Sequence, residues 1–410
     1  MPFNTRTSHR TGARNTAFGR GPRPSRSFGG NNRPARRGPK KDYIHPSRFV
    51  KAAKPVEEIA YDATHSFEDF VVNELIKTNI AAKGFTTPSP IQDQAIPAGL
   101  NGQDVIGIAN TGTGKTIAFG IPVLHRLMED PNSKALIVAP TRELAQQIEA
   151  ELKTVGKSSG MYGALLIGGA PMGPQLRDLR SNPQLVIGTP GRIMDHMQRG
   201  SLDLSGFTIA VLDEVDRMLD MGFVNDVRTI LGELSHDRQS FFFSATLDRK
   251  VGDLIQTFAN DPVTISVKTG NTADSVHQDI VCYETIGDKI EQLHNVLNRE
   301  EVAKVIVFDD TQRSVERLSE ELIARGFKAD AIHGGKTQGQ RTRALNRFKK
   351  SEVNILVATD VAARGIDVAD ITHVINYSTP QSYEDYVHRI GRAGRAGRVG
   401  YALTFVTEGY

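Results

Sequence analysis

The stretch DVIGIANTGTGKT, residues 104–116, combines a short apolar run with a glycine-rich loop that ends in Gly-Lys-Thr. The run predicts a buried β-strand, and the apolar residues of 117–127 predict a helix. At such a junction glycines let backbone N–H groups surround phosphate oxygens, and the helix N-terminus adds a favourable dipole. The stretch therefore predicts an α/β fold with a phosphate-binding loop. The Gly-Lys-Thr ending disfavours the alternative of a plain turn.

Short apolar runs alternate with helical stretches along most of the chain. This alternation predicts βαβ units, and the unbroken apolar character of the runs fits parallel sheets covered on both faces. The polar stretch 268–275 predicts a linker between two α/β domains, 46–267 and 276–410, whose cleft would hold the ligand. No further domain is expected after the last run. The runs are 104–109, 135–140, 184–188, 209–213, 240–244, 263–267, 280–283, 304–308, 329–332, 354–359, 373–377 and 402–406.

Residues 1–45 differ from the rest in charge and composition. They contain eleven Arg or Lys residues and one acid, Asp42, although the net charge of the whole chain is only +3. They are rich in Gly, Pro, Ser and Asn and lack hydrophobic periodicity, which predicts a disordered basic arm. Such an arm favours a polyanionic partner, and we expect it to bind RNA. A solubilising tail and an organellar targeting segment remain alternatives.

The remaining composition narrows the class of protein. No stretch reaches the ~18 apolar residues of a membrane span. The single cysteine, Cys282, excludes a disulfide within the chain, and its apolar neighbours predict a buried, inert thiol. We expect a cytoplasmic monomer.

An acidic cluster follows another predicted strand. Residues 209–212 lead directly into Asp213, Glu214, Val215 and Asp216. With a phosphate loop upstream, Lys115 would contact the β- and γ-phosphates of ATP, while Thr116 and Asp213 would hold Mg²⁺. Glu214 would polarise the attacking water. The alternative is an acid-rich helix start, which the helix dipole favours.

The order and spacing of these motifs resemble those of the DEAD-box RNA helicases of superfamily 2, from about residue 67 to residue 405. The resemblance implies two RecA-like domains that close on ATP and RNA. It places an adenine-binding motif at 84–92 and arginine fingers at Arg392 and Arg395. The implied nucleotide contacts are Phe67, Phe85, Thr87, Gln92, Ala109, Asn110, Thr111, Gly112, Thr113, Gly114, Lys115, Thr116, Gly365 and Asp367; the implied catalytic residues are Lys115, Asp213, Glu214, Arg392 and Arg395.

The resemblance also implies an RNA-binding surface across both domains and residues that couple it to hydrolysis. Small residues, helix N-termini and arginines offer donors to phosphates without contacting bases. The implied RNA contacts are Arg142, Gly169, Thr189, Pro190, Gly191, Arg192, Gly334, Gln338, Arg341 and Thr359. The implied coupling residues are Asp216, Ser244, Thr246 and His388.

The chain departs from the family pattern at several positions. Val215 replaces Ala in the Asp-Glu-Ala-Asp tetrad, and Ala109 stands where the phosphate-loop pattern has Gly. Asp310 stands where the family usually has Asn, beside Asp309, and two acids there would repel RNA phosphates. We expect activity to survive, because the acids that carry the chemistry remain.

The resemblance implies an ATP-dependent RNA helicase whose hydrolysis is stimulated by RNA and which locally unwinds or remodels short duplexes or RNA–protein complexes. It would use ATP and Mg²⁺, contact single-stranded or short duplex RNA through the backbone, and depend on the arm or a protein partner for targeting. An ATP-gated RNA clamp or chaperone with little unwinding is one alternative. A superfamily 2 DNA helicase is another, disfavoured by the 84–92 motif and by Asp216, where a His would be expected.

Overall fold

The computed structural model describes residues 43–53, 61–110, 112–267, 275–363, 368, 370–394 and 399–407. This part of the chain contains two parallel β-sheets, each flanked by helices. The predicted basic arm, apart from its last three residues, and nearly all of the predicted linker lie outside the described residues. None of the helices in the described part has the length and apolarity that a membrane crossing needs.

The first sheet has seven parallel strands in the order β3-β4-β2-β5-β6-β1-β7. Successive strand residues face opposite sides, so Val105 and Ile106 enter two different apolar cores. The strands are β1 (Val105–Ile108), β2 (Ala135–Val138), β3 (Gly163–Leu166), β4 (Leu185–Gly188), β5 (Ile209–Leu212), β6 (Gln239–Ser244) and β7 (Val263–Ser266). The helices are α1 (Glu74–Ala82), α2 (Pro90–Leu100), α3 (Lys115–Glu129), α4 (Arg142–Val155), α5 (Met172–Arg180), α6 (Pro190–Gln198), α7 (Val215–Asp220), α8 (Val224–Gly232) and α9 (Arg249–Phe258).

The second sheet has six parallel strands in the order β10-β11-β9-β12-β13-β8. It also separates two apolar cores. Its strands are β8 (Val276–Tyr283), β9 (Val305–Phe308), β10 (Ala329–Ile332), β11 (Ile355–Ala358), β12 (His373–Asn376) and β13 (Gly400–Thr407); its helices are α10 (Ile286–Leu297), α11 (Gln312–Ala324), α12 (Gln338–Lys349), α13 (Asp360–Ala363) and α14 (Tyr383–Ile390). The expectation of two α/β domains with parallel sheets is confirmed.

Two details differ from the sequence expectations. Strand β3 was not predicted, although residues 164–167 are apolar; it is an edge strand, and two of its four residues are half-buried. Cys282 was expected to be buried, which is wrong: its side chain is exposed. It lies near the end of β8, an edge strand of the second sheet, in which only two of the eight residues are buried.

The segment before the first sheet packs on the second sheet. A short 3-10 helix, Pro46–Phe49, places Phe49 (1% exposed) in a core of the second sheet, with its ring centroid 4.8 Å from that of Tyr386. Lys51 pairs antiparallel with Gln278 of β8. The sequence analysis placed residues 46–53 in the first domain. The difference arises because Phe49 is the one bulky apolar residue of this polar stretch, and its pocket lies beside β8.

We expect Phe49→Ala to release this segment from the second sheet. Truncation of a fully buried Phe costs about 3–5 kcal/mol. The contact of Arg48 with the Tyr383 ring and the backbone pair of Lys51 with Gln278 would remain, but neither buries a large apolar side chain, so the segment should detach before the sheet unfolds. The amide of Lys51, which donates to the Gln278 carbonyl at 2.9 Å, should then exchange faster with deuterium. Val50→Ala, at an exposed neighbouring position, is the control and should leave this exchange unchanged.

Candidate active site

The phosphate loop lies between β1 and α3, as predicted. Gly112 and Gly114 have φ angles of +83° and +91°, in the left-handed region that favours glycine. The side chain of Lys115 is buried, and its Nζ donates to the Ala109 carbonyl at 2.9 Å. The lysine therefore folds back over the loop, where an arriving phosphate would replace the carbonyl as its partner.

The motif that is predicted to bind adenine packs directly on this loop. Gln92 accepts from the Ser89 amide at 2.9 Å and donates to the Gly114 carbonyl at 3.1 Å. A Cβ at Gly114 would collide with the Gln92 amide. The chain thus orients the Gln92 side chain through the same loop that is expected to bind phosphate.

Two aromatic residues assigned to the nucleotide site have different environments. Phe85 is 40% exposed, whereas Phe67 is 6% exposed and belongs to the apolar core. Their rings are stacked, with centroids 6.3 Å apart. Phe85 therefore offers the open face, and Phe67 supports it from behind. Thr87 lies on the exposed turn between them and α2.

The acidic cluster lies at the carboxyl end of β5, two strands from the phosphate loop. Burial raises the pKa of Asp213 to about 6, although Lys115 acts in the opposite direction. Burial would also raise the pKa of Glu214, but the charges of Arg217 and Lys115, with that of Arg392 from the second sheet, lower it to about 2. The two adjacent carboxyls therefore differ strongly in pKa. The effect of burial prevails at Asp213, whereas the effect of nearby positive charges prevails at Glu214.

Glu214 has an unusual backbone. Its φ of +54° lies in the left-handed region, which non-glycine residues adopt rarely and at some cost in free energy. The residue is the N-cap of α7, and its carboxylate accepts from Arg217 Nη1 of that helix at 2.6 Å. Strain of this kind clusters at functional sites.

The third acid of the cluster joins α7 to the strand beside it. Asp216 Oδ2 accepts from the backbone amides of Ala245 and Thr246, both at 3.0 Å, and from the Thr246 hydroxyl at 3.2 Å. Its own amide donates to the Ser244 hydroxyl at 3.3 Å. Val215 is fully buried in a core and leaves these bonds in place. The structure thus brings the predicted coupling residues Asp216, Ser244 and Thr246 together.

The second sheet contributes a run of basic residues after β12. Arg392 is buried, and His388 is half-buried. Arg389 binds Asp360 through two hydrogen bonds of 2.5 and 2.7 Å and donates to the Ser378 carbonyl at 2.8 Å. The sequence analysis gave Arg389 no role. These buried hydrogen bonds of Arg389 fix the end of α14 and therefore the position of Arg392.

Four of the six residues assigned to RNA in the first domain line a cavity of about 370 Å³: Arg142, Thr189, Gly191 and Arg192. Arg142 lies close against Gly169, whose φ of +76° and missing side chain allow the approach; a Cβ there would collide with the guanidinium. Arg192 donates to the Ala170 carbonyl at 3.2 Å. Thr189 and Gly191 complete this side of the cavity.

Two residues assigned to RNA on the second sheet instead bind the first. Arg341 Nη2 lies 2.8 Å from Glu143 Oε1, and both side chains are buried. Gln338 Nε2 donates to Gln146 Oε1 at 3.0 Å. These contacts connect α12 of the second domain with α4 of the first, and the sequence offered no partner for Glu143. Contact of Gln338 and Arg341 with RNA stays a prediction.

Several predicted residues lie either within the second domain or outside the described residues, and Arg217 is an addition to the predicted set. Asp310 accepts from the Ser378 hydroxyl at 2.7 Å, so its carboxylate is engaged within the second domain. Thr359 is buried at the end of β11, and Gly334 lines the cavity near Arg142. Thr111, Gly365, Asp367 and Arg395 lie outside the described residues. Arg217, which the sequence analysis did not single out, donates to Glu214 at 2.6 Å.

Comparison with family models gives two adjacent matches. Residues 89–254 match the DEAD/DEAH box helicase family, and residues 288–397 match the helicase conserved C-terminal domain. Among curated proteins, the chain is 42% identical over 345 residues to the DEAD-box ATP-dependent RNA helicase CshA of Bacillus subtilis, covering 84% of this chain and 70% of that protein. It is 43% identical over 341 residues to the ATP-dependent RNA helicase CshA of Listeria monocytogenes, covering 83% and 66%.

The chain is also similar to solved structures. Mss116p bound to ssRNA and AMP-PNP matches with a TM-score of 0.76 and 32% identity, over 85% of this chain and 76% of that chain. S. cerevisiae Dbp5 bound to RNA and ADP BeF3 matches with a TM-score of 0.74 and 30% identity, over 84% and 90%. A DEAD box protein from Methanococcus jannaschii is 38% identical over 84% and 93%, but its TM-score is 0.50.

Proposed function

The chain belongs to the DEAD-box ATP-dependent RNA helicases, and on that premise we propose how its residues carry out the cycle of ATP hydrolysis. ATP binds to the first domain, with adenine between Phe85 and Gln92 and the phosphates on the loop that ends at Lys115. The stacked, half-exposed ring of Phe85 and the anchored amide of Gln92 support this assignment. A side-chain amide can pair with the N6 and N7 positions of adenine, which favours ATP over GTP.

Hydrolysis takes place where β5 and the phosphate loop meet the basic run of the second domain. Glu214 orients the attacking water, and Arg392 stabilises the charge that develops on the transferred phosphoryl group. The observation that carries this assignment is that Arg392, on the second domain, lines the same small cavity as Arg217, which donates to Glu214 on the first domain at 2.6 Å. The catalytic groups are therefore complete only when both domains contribute, and Arg395 is proposed as a second arginine of this kind.

The site also fits a magnesium ion. Asp213 is a buried carboxyl whose pKa is raised by burial, so a divalent cation would relieve its desolvation. Thr116, at the first turn of α3, would supply a hydroxyl ligand. The described residues contain no cluster of three or more acidic, His or Cys side chains that could hold a metal, so phosphate oxygens and water would supply most ligands. Bound there, the ion would neutralise charge on the phosphates.

RNA binds across the cavity near Arg142 and Arg192 and extends onto the second domain. Backbone contacts of this type make binding independent of sequence. The pair between Arg341 and Glu143 supports closure of the two domains on the same side as the RNA. RNA and ATP then favour the same closed form, which is a coupling free energy between two sites. Closure, followed by hydrolysis and reopening, would locally unwind or remodel a short duplex. A monomeric, cytoplasmic enzyme remains the prediction from sequence.

The test is steady-state ATP hydrolysis with oligo-uridine RNA, with single-stranded DNA of equal length and with neither. We expect strong stimulation by RNA alone, and ATP-dependent separation of a short RNA duplex. Equal stimulation by DNA would favour the DNA helicase alternative. Hydrolysis that proceeds without duplex separation would favour an RNA clamp or chaperone.

We further propose that the basic arm, residues 1–45, binds RNA. Its removal should leave the basal ATPase rate unchanged, weaken RNA binding and flatten the salt dependence of that binding, because each phosphate contact contributes about 0.7 to the slope on single strands. Fluorescence anisotropy of labelled RNA across a salt series measures both effects. Equal affinity and equal slope with and without the arm would refute its role.

A further inference from the structure

Arg217 is tied to the catalytic carboxylate rather than to the protein surface. It lies one residue after Asp216 on α7 and is 6% exposed. Its Nη1 donates to Oε2 of Glu214 at 2.6 Å. A carboxylate has a second oxygen that can accept from water, so this bond fixes the orientation of Glu214 without preventing it from holding the attacking water.

A contribution to stability does not explain why the rest of the Arg217 guanidinium is buried. Nε and Nη2 are buried and have no acceptor among the described residues, and unpaired donors on a buried cation cost free energy. A buried ion pair is itself weak evidence for stability, since apolar residues of similar size often pack equally well. The position of Arg217 therefore calls for a functional reason.

Arg217 also contacts the space between the two domains. It lines a small cavity together with Phe308, Asp360, His388 and Arg392, all of which belong to the second domain. The guanidinium thus bonds to Glu214 of the first domain, and the other residues that line its cavity belong to the second domain. When the second domain departs, that lining is lost and the guanidinium gains freedom.

We propose that Arg217 is a positioning residue that fixes the carboxylate of Glu214 when the second domain closes, so that RNA-dependent closure sets the orientation of the attacking water. This inference rests on the proposed role of Glu214. The chain matches two structures bound to RNA and nucleotide with TM-scores of 0.76 and 0.74. The bond to Glu214 therefore belongs to an arrangement of domains that resembles the RNA-bound form.

A positioning role makes a specific kinetic prediction. The hydrogen bond of Arg217 goes to Glu214, and the cavity that it lines is otherwise formed by the second domain, so its loss should leave the binding of ATP intact. Misplacement of a catalytic group by about 1 Å can cost about 10²-fold in rate. The loss should therefore appear in kcat rather than KM, and mainly in the presence of RNA, when the second domain is closed.

The experiment compares Arg217→Met and Arg217→Lys with the wild type, measuring ATP hydrolysis with and without oligo-uridine RNA and the affinity for a fluorescent ATP analogue. Arg217→Met should lower the RNA-stimulated kcat by about 10²-fold, keep KM and analogue affinity, and change the RNA-independent rate much less. Arg217→Lys retains one charged donor and should recover most of the loss. Arg228→Met, at an exposed position on α8, is the matched control and should behave as wild type.

A kcat of Arg217→Met close to that of wild type would overturn the proposal, as would equal losses in kcat and analogue affinity. If that variant does not fold, Glu214→Gln/Arg217→Met replaces it, because neither buried charge remains. Its residual rate should equal that of Glu214→Gln alone, since Arg217 acts only through Glu214; a further loss would refute the role. A wild type without RNA-stimulated hydrolysis would instead contradict the proposed function.

Discussion

Replacing Arg392 by Ala is expected to lower the kcat of RNA-stimulated ATP hydrolysis by about 10³–10⁵-fold, the usual contribution of an arginine that stabilises phosphoryl transfer. The residue follows α14 of the second domain, and the buried pair between Arg389 and Asp360 holds that helix end in place. Its charge reaches Glu214 on the first domain. Because the phosphate loop and Gln92 carry ground-state binding, the affinity for ATP should change little.

Rapid-quench hydrolysis and binding of a fluorescent ATP analogue separate these two effects. Arg392→Lys keeps the charge but loses the planar fork and should recover only part of the rate. Arg325→Ala is the control, since that arginine pairs with Glu321 and Glu291 on the surface of the second domain. A rise in KM with kcat preserved would mean that Arg392 binds ATP in the ground state and does not act in the transition state.

Much of the fold was accessible from sequence because buried parallel strands leave a strong pattern. The run at 104–108 and the loop up to Thr116 predicted β1, the phosphate loop and the start of α3 at their observed places. Strand β3 was missed although residues 164–167 are apolar, because this short run lies between Gly163 and Gly168, which also fit a loop. Residues 46–53 escaped because the pocket of Phe49 is built from β8 and α14, more than 200 positions later in the chain.

The candidate site was accessible only in part. Motif spacing indicated Lys115, Glu214 and Arg392, since each belongs to a local pattern. Pairs between distant elements carry no local pattern, so the contact of Glu143 with Arg341 could be found only in three dimensions. Arg217 is local, yet its role depends on the left-handed backbone at Glu214 and on the cavity wall from the second domain. Neither the backbone conformation of Glu214 nor the lining of this cavity can be inferred from periodicity or composition.

Replacing Glu214 by Gln is the second change with a large expected effect. Gln has the same shape and can still accept from Arg217, so α7 and the fold should persist. The neutral amide is a poor partner for the attacking water, and loss of such a group costs about 10²–10⁴-fold in rate. ATP should still bind and favour closure on RNA. Hydrolysis measured with oligo-uridine RNA should fall by this factor, while Glu233→Gln, an exposed position after α8, should not change it.

The same variant distinguishes how the enzyme uses its ATP. If hydrolysis reopens the domains, Glu214→Gln should remain closed on RNA in the presence of ATP, and dissociation of labelled RNA should become much slower than in the wild type. Because ATP and RNA affinities are linked, bound RNA should raise the affinity for the nucleotide by the same factor by which the nucleotide raises the affinity for RNA. RNA that leaves at the wild-type rate would mean that closure does not depend on the γ-phosphate. In that case the pair between Arg341 and Glu143 would hold the domains together without nucleotide, and the clamp alternative would require RNA release by another route.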